Sequence, residues 1–257
     1  QLISYSTGLF EGKHAVITPP TFSMYGFYSE LTGLEVKPVP LREDFTLQLE
    51  KIKSALEDAA VVFLCSPNNP TGNVFDRAKI IELLETGVPI ILDEAYAEFA
   101  ETSNMDLISE YDNLLVLRTF SKAFGLAGAR IGYAVGSSSI VEYLLRVKPP
   151  YNLNSLSLRV AEILLDNYEL TRGRVEFLID QRERLYDEFE RYSYPSQANF
   201  LLMDLDAADY LLERGISVRS FTGKMAKNIR VTIGTEKENN QLASALKNYI
   251  DNHTRSE

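Results

Sequence analysis

Apolar runs alternate with stretches of helical spacing through most of the chain. Residues 14–18 (HAVIT) predict a short strand closed by Pro19-Pro20, residues 21–32 a helix stopped at Gly33, and residues 34–39 a second strand. Residues 44–57 carry Phe45, Leu47, Leu49, Ile52 and Leu56 at mixed helical spacing, which predicts a helix. Residues 60–65 (AVVFLC) are continuously apolar, as in a strand buried on both faces of a parallel sheet. Asp76 then caps a predicted helix carrying Ile80, Ile81, Leu83 and Leu84, and Gly87 stops it. Further strands are predicted at 88–92, with Asp93 at the C-terminal end, at 114–117 and at 131–135.

The second half has a different rhythm. Residues 155–167 and 172–192 predict helices, the second long and charge-laced. Strand 200–203, a helix near 207–214, strands 217–219 and 229–233, and a helix from about 238 to 250 follow. The whole reads as an α/β fold: a mainly parallel sheet with flanking helices over residues 1–172, and a smaller C-terminal α+β domain over 173–257. In such sheets, ligands bind at the strands' C-terminal ends. The opening residues, LISYSTGLFEGK, read as the middle of a helix in a larger protein, with an N-terminal segment outside this sequence.

Composition narrows the function classes. Lys+Arg 26 against Asp+Glu 36 gives a net charge of -10 over 257 residues, which disfavours a general binder of nucleic acid or anionic membrane. The single cysteine, Cys65, excludes an internal disulfide framework, fits a reducing cytoplasm, and reads as a buried packing residue. No apolar run approaches the roughly 20 residues that a membrane helix requires. Two histidines, His14 and His253, the latter in a polar tail, are too few for a multi-histidine metal site and ill-suited to a Ser-His-Asp triad, so no metal is expected. Proton transfers then fall to Lys, Tyr or a carboxylate. Residues 8–14 (GLFEGKH) lack the spacing and the Ser/Thr of a phosphate-binding P-loop.

Three stretches could carry chemistry. Residues 66–72 (SPNNPTG) follow a buried strand and read either as a plain turn or as part of a site. Asp93 in DEAY ends an apolar strand, where a carboxylate is costly to bury unless paired; a helix cap is the alternative. In residues 115–132 (LVLRTFSKAFGLAGARIG), Lys122 stands just past a strand with Thr119 and Ser121 before it and Arg130 eight positions on. A lysine there suits amine chemistry, hydroxyls with an arginine suit a phosphate, and a solvent-exposed lysine is the plain reading.

Taken in order, these resemble the signature of fold-type I pyridoxal-phosphate aminotransferases. Within that superfamily, PPTF (19–22), SPNNPTG, DEAYAEF, RTFSKAFGLAGARIGY and the closing IRVTIGT look most like the histidinol-phosphate aminotransferase family. The resemblance runs from Gln1 to the last helix, and it begins just after the family's glycine-containing phosphate-binding turn and N-terminal arm. It implies pyridoxal 5'-phosphate as cofactor, held covalently through Lys122, which also carries a proton between substrate and cofactor. Asp93 would face the ring nitrogen, Asn69 and Tyr96 the ring oxygen, and Phe22 would stack on the ring. Thr119, Ser121 and Arg130 would hold the cofactor phosphate.

For the substrate, Arg230 projects from the opposite face of a strand to Ile229, Val231 and Ile233, which suits carboxylate binding. The resemblance gives it the α-carboxylate, as of glutamate, gives Arg219 the substrate phosphate, and sets Asn199 and the Tyr151-Asn152 pair in family-like motifs. It implies small amino-acid and phosphate substrates, a cytoplasmic homodimer, and no nucleic-acid or membrane partner. The expected reaction passes the amino group of glutamate to imidazole-acetol phosphate, giving 2-oxoglutarate and histidinol phosphate. Rival readings are an aromatic aminotransferase, a threonine-phosphate decarboxylase, or a regulatory module that binds the cofactor without turnover.

Overall fold

The computed structural model describes residues 1–253; residues 254–257 and the side chain of His253, part of the expected polar tail, lie outside them. The chain opens on helix α1 (Leu2–Ser6) and strand β1 (His14–Ile17), then α2 (Met24–Leu31), β2 (Glu35–Pro38), α3 (Leu49–Lys53), β3 (Ala59–Cys65), α4 (Arg77–Leu84), β4 (Ile90–Asp93), β5 (Leu114–Thr119) and β6 (Gly132–Gly136). These strands form one sheet in the order β2-β1-β3-β4-β5-β6. All neighbours are parallel except β6, which returns antiparallel to β5.

The continuous apolar runs are explained by burial on both faces. Val62, Leu64, Ile90, Leu92, Leu114 and Val116 pack under α3 and α4 with Ile52, Ile80 and Leu83. The alternate residues Val61, Phe63, Cys65, Ile91, Leu115 and Leu117 pack on the other face with Tyr25, Ile140 and Leu144. Asp93 pairs in register with Cys65 on one side and Leu117 on the other, so the carboxylate ends a strand in the middle of the sheet.

Several expected elements change extent for local reasons. The helix expected over 44–57 shrinks to α3: Asp44 Oδ1 accepts from Thr46 N (3.0 Å) and Thr46 Oγ1 (2.7 Å), and Phe45 sits at φ 60°, so a side-chain-closed loop replaces the first turns. Helix α5 (Ser138–Val147) covers a segment for which the pattern predicts no element; it buries only Ile140 and Leu144, one turn apart. Two helices then follow, α6 (Ser155–Asp166), capped by Asn154 Oδ1 on Ser157 N (2.8 Å), and α7 (Tyr168–Glu188). The expected helix 172–192 thus begins and ends earlier, with residues 190–192 in a 3-10 turn.

A second, antiparallel sheet in the order β7-β9-β8 combines β7 (Phe200–Met203), β8 (Arg219–Ser220) and β9 (Ile229–Thr232), with α8 (Ala208–Leu212) and α9 (Glu236–His253) beside it. The last helix starts two residues before the expected position because Thr235 and Glu238 form a capping box: Thr235 N donates to Glu238 Oε2 (2.8 Å) and Glu238 N to Thr235 Oγ1 (3.3 Å). This sheet has its own core, with Leu185, Leu201, Met203, Ile229, Val231, Leu242 and Leu246. Helix α7 serves both parts, since Val175 joins an aromatic cluster with Tyr96, Phe120, Phe124 and Phe200 while Leu185 belongs to the second core.

The loop after β3 is clamped between the two parts. Gly72 lies at φ 80°, where a Cβ would collide with the Ser196 side chain, and its carbonyl accepts from Gln197 N at 2.7 Å. Among the described residues, no helix is long and apolar enough to cross a membrane, and no group of three or more His, Cys, Asp or Glu is placed to hold a metal. His14 is occupied structurally, its Nε2 bonding the Ala55 carbonyl at 2.8 Å.

Candidate active site

Four loops leave the C-terminal ends of parallel strands β1, β3, β4 and β5 on the same edge of the sheet. These loops, with the strand ends they leave, carry Phe22, Asn69, Asp93 with Tyr96, and Thr119 with Ser121 and Lys122. The loop after β3 is held to the one after β1 by Asn68, fully buried: its Nδ2 donates to the Pro20 carbonyl (2.9 Å) and to Thr71 Oγ1 (2.7 Å), and its Oδ1 accepts from Thr21 Oγ1 (2.9 Å).

Lys122 Nζ stands 5.2 Å from the centroid of the Tyr96 ring and, among the described residues, has no hydrogen-bond or ion-pair partner. Burial, and then the Arg230 guanidinium, hold its amine below the ordinary lysine range, while Asp93 opposes them. Asp93 is itself buried, which raises its carboxyl above the usual range; hydrogen bonds from the Tyr25 hydroxyl to Oδ2 (2.8 Å) and from Ala95 N to Oδ1 (3.0 Å) counter that. Burial also pushes the Tyr96 phenol up, so it stays a proton donor; its ring meets Phe200 edge-on at 5.2 Å.

Arg230 reaches this edge from β9. Its Nη1 donates to Asn69 Oδ1 at 2.5 Å, and its guanidinium carbon lies 4.9 Å from the Phe200 ring centroid. Arg230 Nε is buried with no acceptor among the described residues, and burial followed by Arg219 disfavours the guanidinium's charge. An anion beside it would relieve both penalties.

Other expected residues are arranged more loosely. Thr119 Oγ1 donates to the Ile131 carbonyl (3.3 Å) and accepts from Ser121 N (3.1 Å), which ties the two hydroxyl residues together. Arg130 is exposed at φ 58° and donates to the Ala127 carbonyl (3.1 Å). Arg219 is exposed on β8, opposite Arg230 in register. Asn199 receives Ile233 N on its carbonyl (3.0 Å), with no side-chain bond to the cluster among the described residues. Tyr151 is 98% exposed.

Two groups of site residues escape the sequence reading. Tyr25 sits in an apolar helical stretch and reads as core; only its spacing three residues after Phe22, on the same helical face, hints at the site. Arg118, in β5, ends an apolar run and binds two carboxylates. It contacts Glu94 Oε2 through Nε (3.0 Å) and Nη2 (2.8 Å), and Glu98 Oε1 through Nη1 (3.0 Å), with side-chain exposures of 11%, 1% and 8%. Glu94 also accepts from Ser103 Oγ (2.9 Å) and Asn104 N (2.7 Å), so the network braces the turn that carries Asp93 and Tyr96. Arg118→Ala strands two buried carboxylates and is expected to lower the unfolding free energy by roughly 3–5 kcal/mol. Urea unfolding measures it, and a loss below about 1 kcal/mol, the level of an exposed pair, contradicts the bracing role.

A lysine amine held low, within electrostatic reach of a buried carboxylate and beside a protonated phenol, has the groups that covalent carbonyl chemistry needs, with a partly buried arginine nearby. The sequence matches the family model described as aminotransferase class I and II over residues 1–246. The chain belongs to the class I and II aminotransferase family. Among its relatives, histidinol-phosphate aminotransferase of Pyrococcus furiosus is 49% identical over 251 residues, 98% of this chain and 74% of the relative. The crystal structure of histidinol-phosphate aminotransferase from Clostridium acetobutylicum superimposes with a TM-score of 0.91 at 27% identity, covering 98% of this chain and 81% of that one. The histidinol-phosphate aminotransferase of Sinorhizobium meliloti, solved in complex with pyridoxal-5'-phosphate, gives a TM-score of 0.88 at 24% identity, covering 98% of this chain and 74% of that one. That last likeness concerns the fold alone. The aminotransferase fold accounts for the mainly parallel sheet and for the residues gathered at its C-terminal edge.

Proposed function

We propose that this aminotransferase uses pyridoxal 5'-phosphate to pass the amino group of glutamate to imidazole-acetol phosphate, giving 2-oxoglutarate and histidinol phosphate, in histidine biosynthesis. The observation that carries the substrate is the 49% identity to a histidinol-phosphate aminotransferase across 98% of the chain.

The residues fit the cofactor. The Arg230 Nε–H buried without an acceptor, the unpartnered Lys122 amine and the buried Asp93 carboxylate match a carboxylate-bearing substrate, an aldehyde and a basic ring nitrogen. When bound, pyridoxal phosphate supplies an electron sink for a carbanion at the substrate Cα.

The chain's own residues supply the rest. Lys122, its amine shifted toward the neutral form, would hold the cofactor covalently and would take the proton from the substrate Cα. Asp93 holds a proton on the ring nitrogen through a charge-assisted hydrogen bond. Tyr96 and Asn69 bond the ring oxygen, and Phe22 covers the ring. Thr119, Ser121 and Arg130 grip the cofactor phosphate. Arg230 binds the carboxylate of glutamate, Arg219 the phosphate of histidinol phosphate, and Asn199 lines the substrate end.

Residues 1–172 form the large domain in this reading and residues 173–257 the small one, joined along α7. A homodimer is supported by the exposed apolar side chains of Leu145, Tyr151, Leu156, Leu165 and Leu170 along residues 145–170. A cytoplasmic setting is supported by the single cysteine, Cys65, which is free and buried.

The test compares kcat/KM for histidinol phosphate and phenylalanine as amino donors, and assays carbon dioxide release from threonine phosphate. Phosphate recognition by an arginine predicts a preference of about 10- to 100-fold for histidinol phosphate over phenylalanine. Faster transamination of phenylalanine, or decarboxylation of threonine phosphate, would replace this substrate assignment.

A further inference from the structure

Tyr25 is a buried polar group packed between aromatic rings at the edge of the site. It is fully buried at the start of α2, its ring stacked on Phe63 at 5.0 Å with an interplanar angle of 8°, and Phe22 meets it edge-on at 5.6 Å. Its hydroxyl donates to Asp93 Oδ2 at 2.8 Å. Burial above all keeps the phenol protonated, well above its ordinary range, so it is always the donor of that pair.

We propose that Tyr25 is a positioning residue that acts through Asp93: the stacked phenol fixes the plane of the carboxylate and keeps it charged, so that its remaining lone pairs meet the ring nitrogen of pyridoxal phosphate. This rests on the cofactor reading above.

The geometry of Asp93 supports it. Each carboxylate oxygen has one donor, Tyr25 Oη on Oδ2 and Ala95 N on Oδ1, and two donors on different oxygens leave the group no free rotation. Other groups that face Asp93 do not substitute for the phenol. Cys65, on the neighbouring strand, donates its thiol to the Pro67 carbonyl at 3.2 Å. Lys122, across the edge, acts by charge without a hydrogen bond to Asp93 among the described residues, and the adjacent Glu94 repels. Without the phenol, a buried carboxylate keeps only a backbone N–H donor, and its neutral form, which cannot hold a ring proton, gains.

The test measures binding of pyridoxal phosphate and of its 1-deaza analogue, which has a C–H in place of the ring nitrogen, to the wild-type protein and to Tyr25→Phe. Loss of one charge-assisted hydrogen bond is expected to weaken pyridoxal phosphate about tenfold or more and the deaza analogue by less than about twofold. In an Asp93→Asn background, Tyr25→Phe is expected to change pyridoxal phosphate binding by less than about twofold, because the two residues act as a unit. If Tyr25→Phe does not melt cooperatively, Phe63→Leu, which loosens the stacked phenol but keeps its hydroxyl, carries the same comparison with the same selectivity expected. Equal weakening of both ligands, or no weakening of either, overturns the positioning role. A wild-type protein that binds neither ligand overturns the cofactor reading instead, so the two failures are told apart.

Discussion

Lys122→Ala is expected to remove transamination. The amine is the only one placed beside the Tyr96 ring and within electrostatic reach of Asp93 among the described residues. Loss of the proton-transfer role alone lowers kcat by about 10²–10⁴-fold, and loss of the covalent attachment comes on top of that. The fold is expected to survive, because the side chain has no hydrogen bond or ion pair among the described residues and its removal relieves a buried charge. Stopped assays of glutamate formed from histidinol phosphate and 2-oxoglutarate, beside a melting curve, separate the two effects. A variant that keeps turnover within tenfold of wild type contradicts the assignment.

Arg230→Leu carries the second large effect, and it has two parts. The substrate carboxylate loses its partly buried guanidinium, and kcat/KM for glutamate is expected to fall by about 10²–10³-fold, in line with truncating one partner of a buried charge pair. The second part is a pH shift with a definite sign. Burial is the larger cause of the depressed Lys122 amine and Arg230 the next, so removing the arginine raises the Lys122 pKa. The neutral amine then accumulates only at higher pH, and the pH midpoint for covalent attachment moves up. A loss of glutamate affinity without an upward midpoint shift would mean that Arg230 binds substrate but does not tune the lysine.

Much of this was legible in the sequence because the strands are buried on both faces. The runs at 60–65 and 114–117 have no alternation, which identifies a parallel sheet, and each ends in a polar residue that folding brings to one edge. Asp93 and Lys122 announce themselves as polar groups after apolar strands. Tyr25 does not, because a tyrosine among apolar neighbours looks like packing until its hydroxyl partner, 68 residues away, is known. Arg118 is similar: its partners Glu94 and Glu98 lie on a different strand's loop. The helix expected over 44–57 fails for the opposite reason, since Asp44 and Thr46 satisfy the backbone locally and the apolar residues fill the core from a loop. Periodicity reports which residues are buried, and only side-chain hydrogen bonding distinguishes a helix from a loop that buries the same residues.

The most direct test is chemical. The protein is saturated with pyridoxal phosphate, reduced with borohydride, digested, and the peptides identified by mass spectrometry. The pyridoxyl label is expected on the peptide that holds Lys122, with no stoichiometric label in Lys122→Ala. Stoichiometric label on any other lysine, or an unlabelled Lys122 in protein that has bound the cofactor, would contradict it.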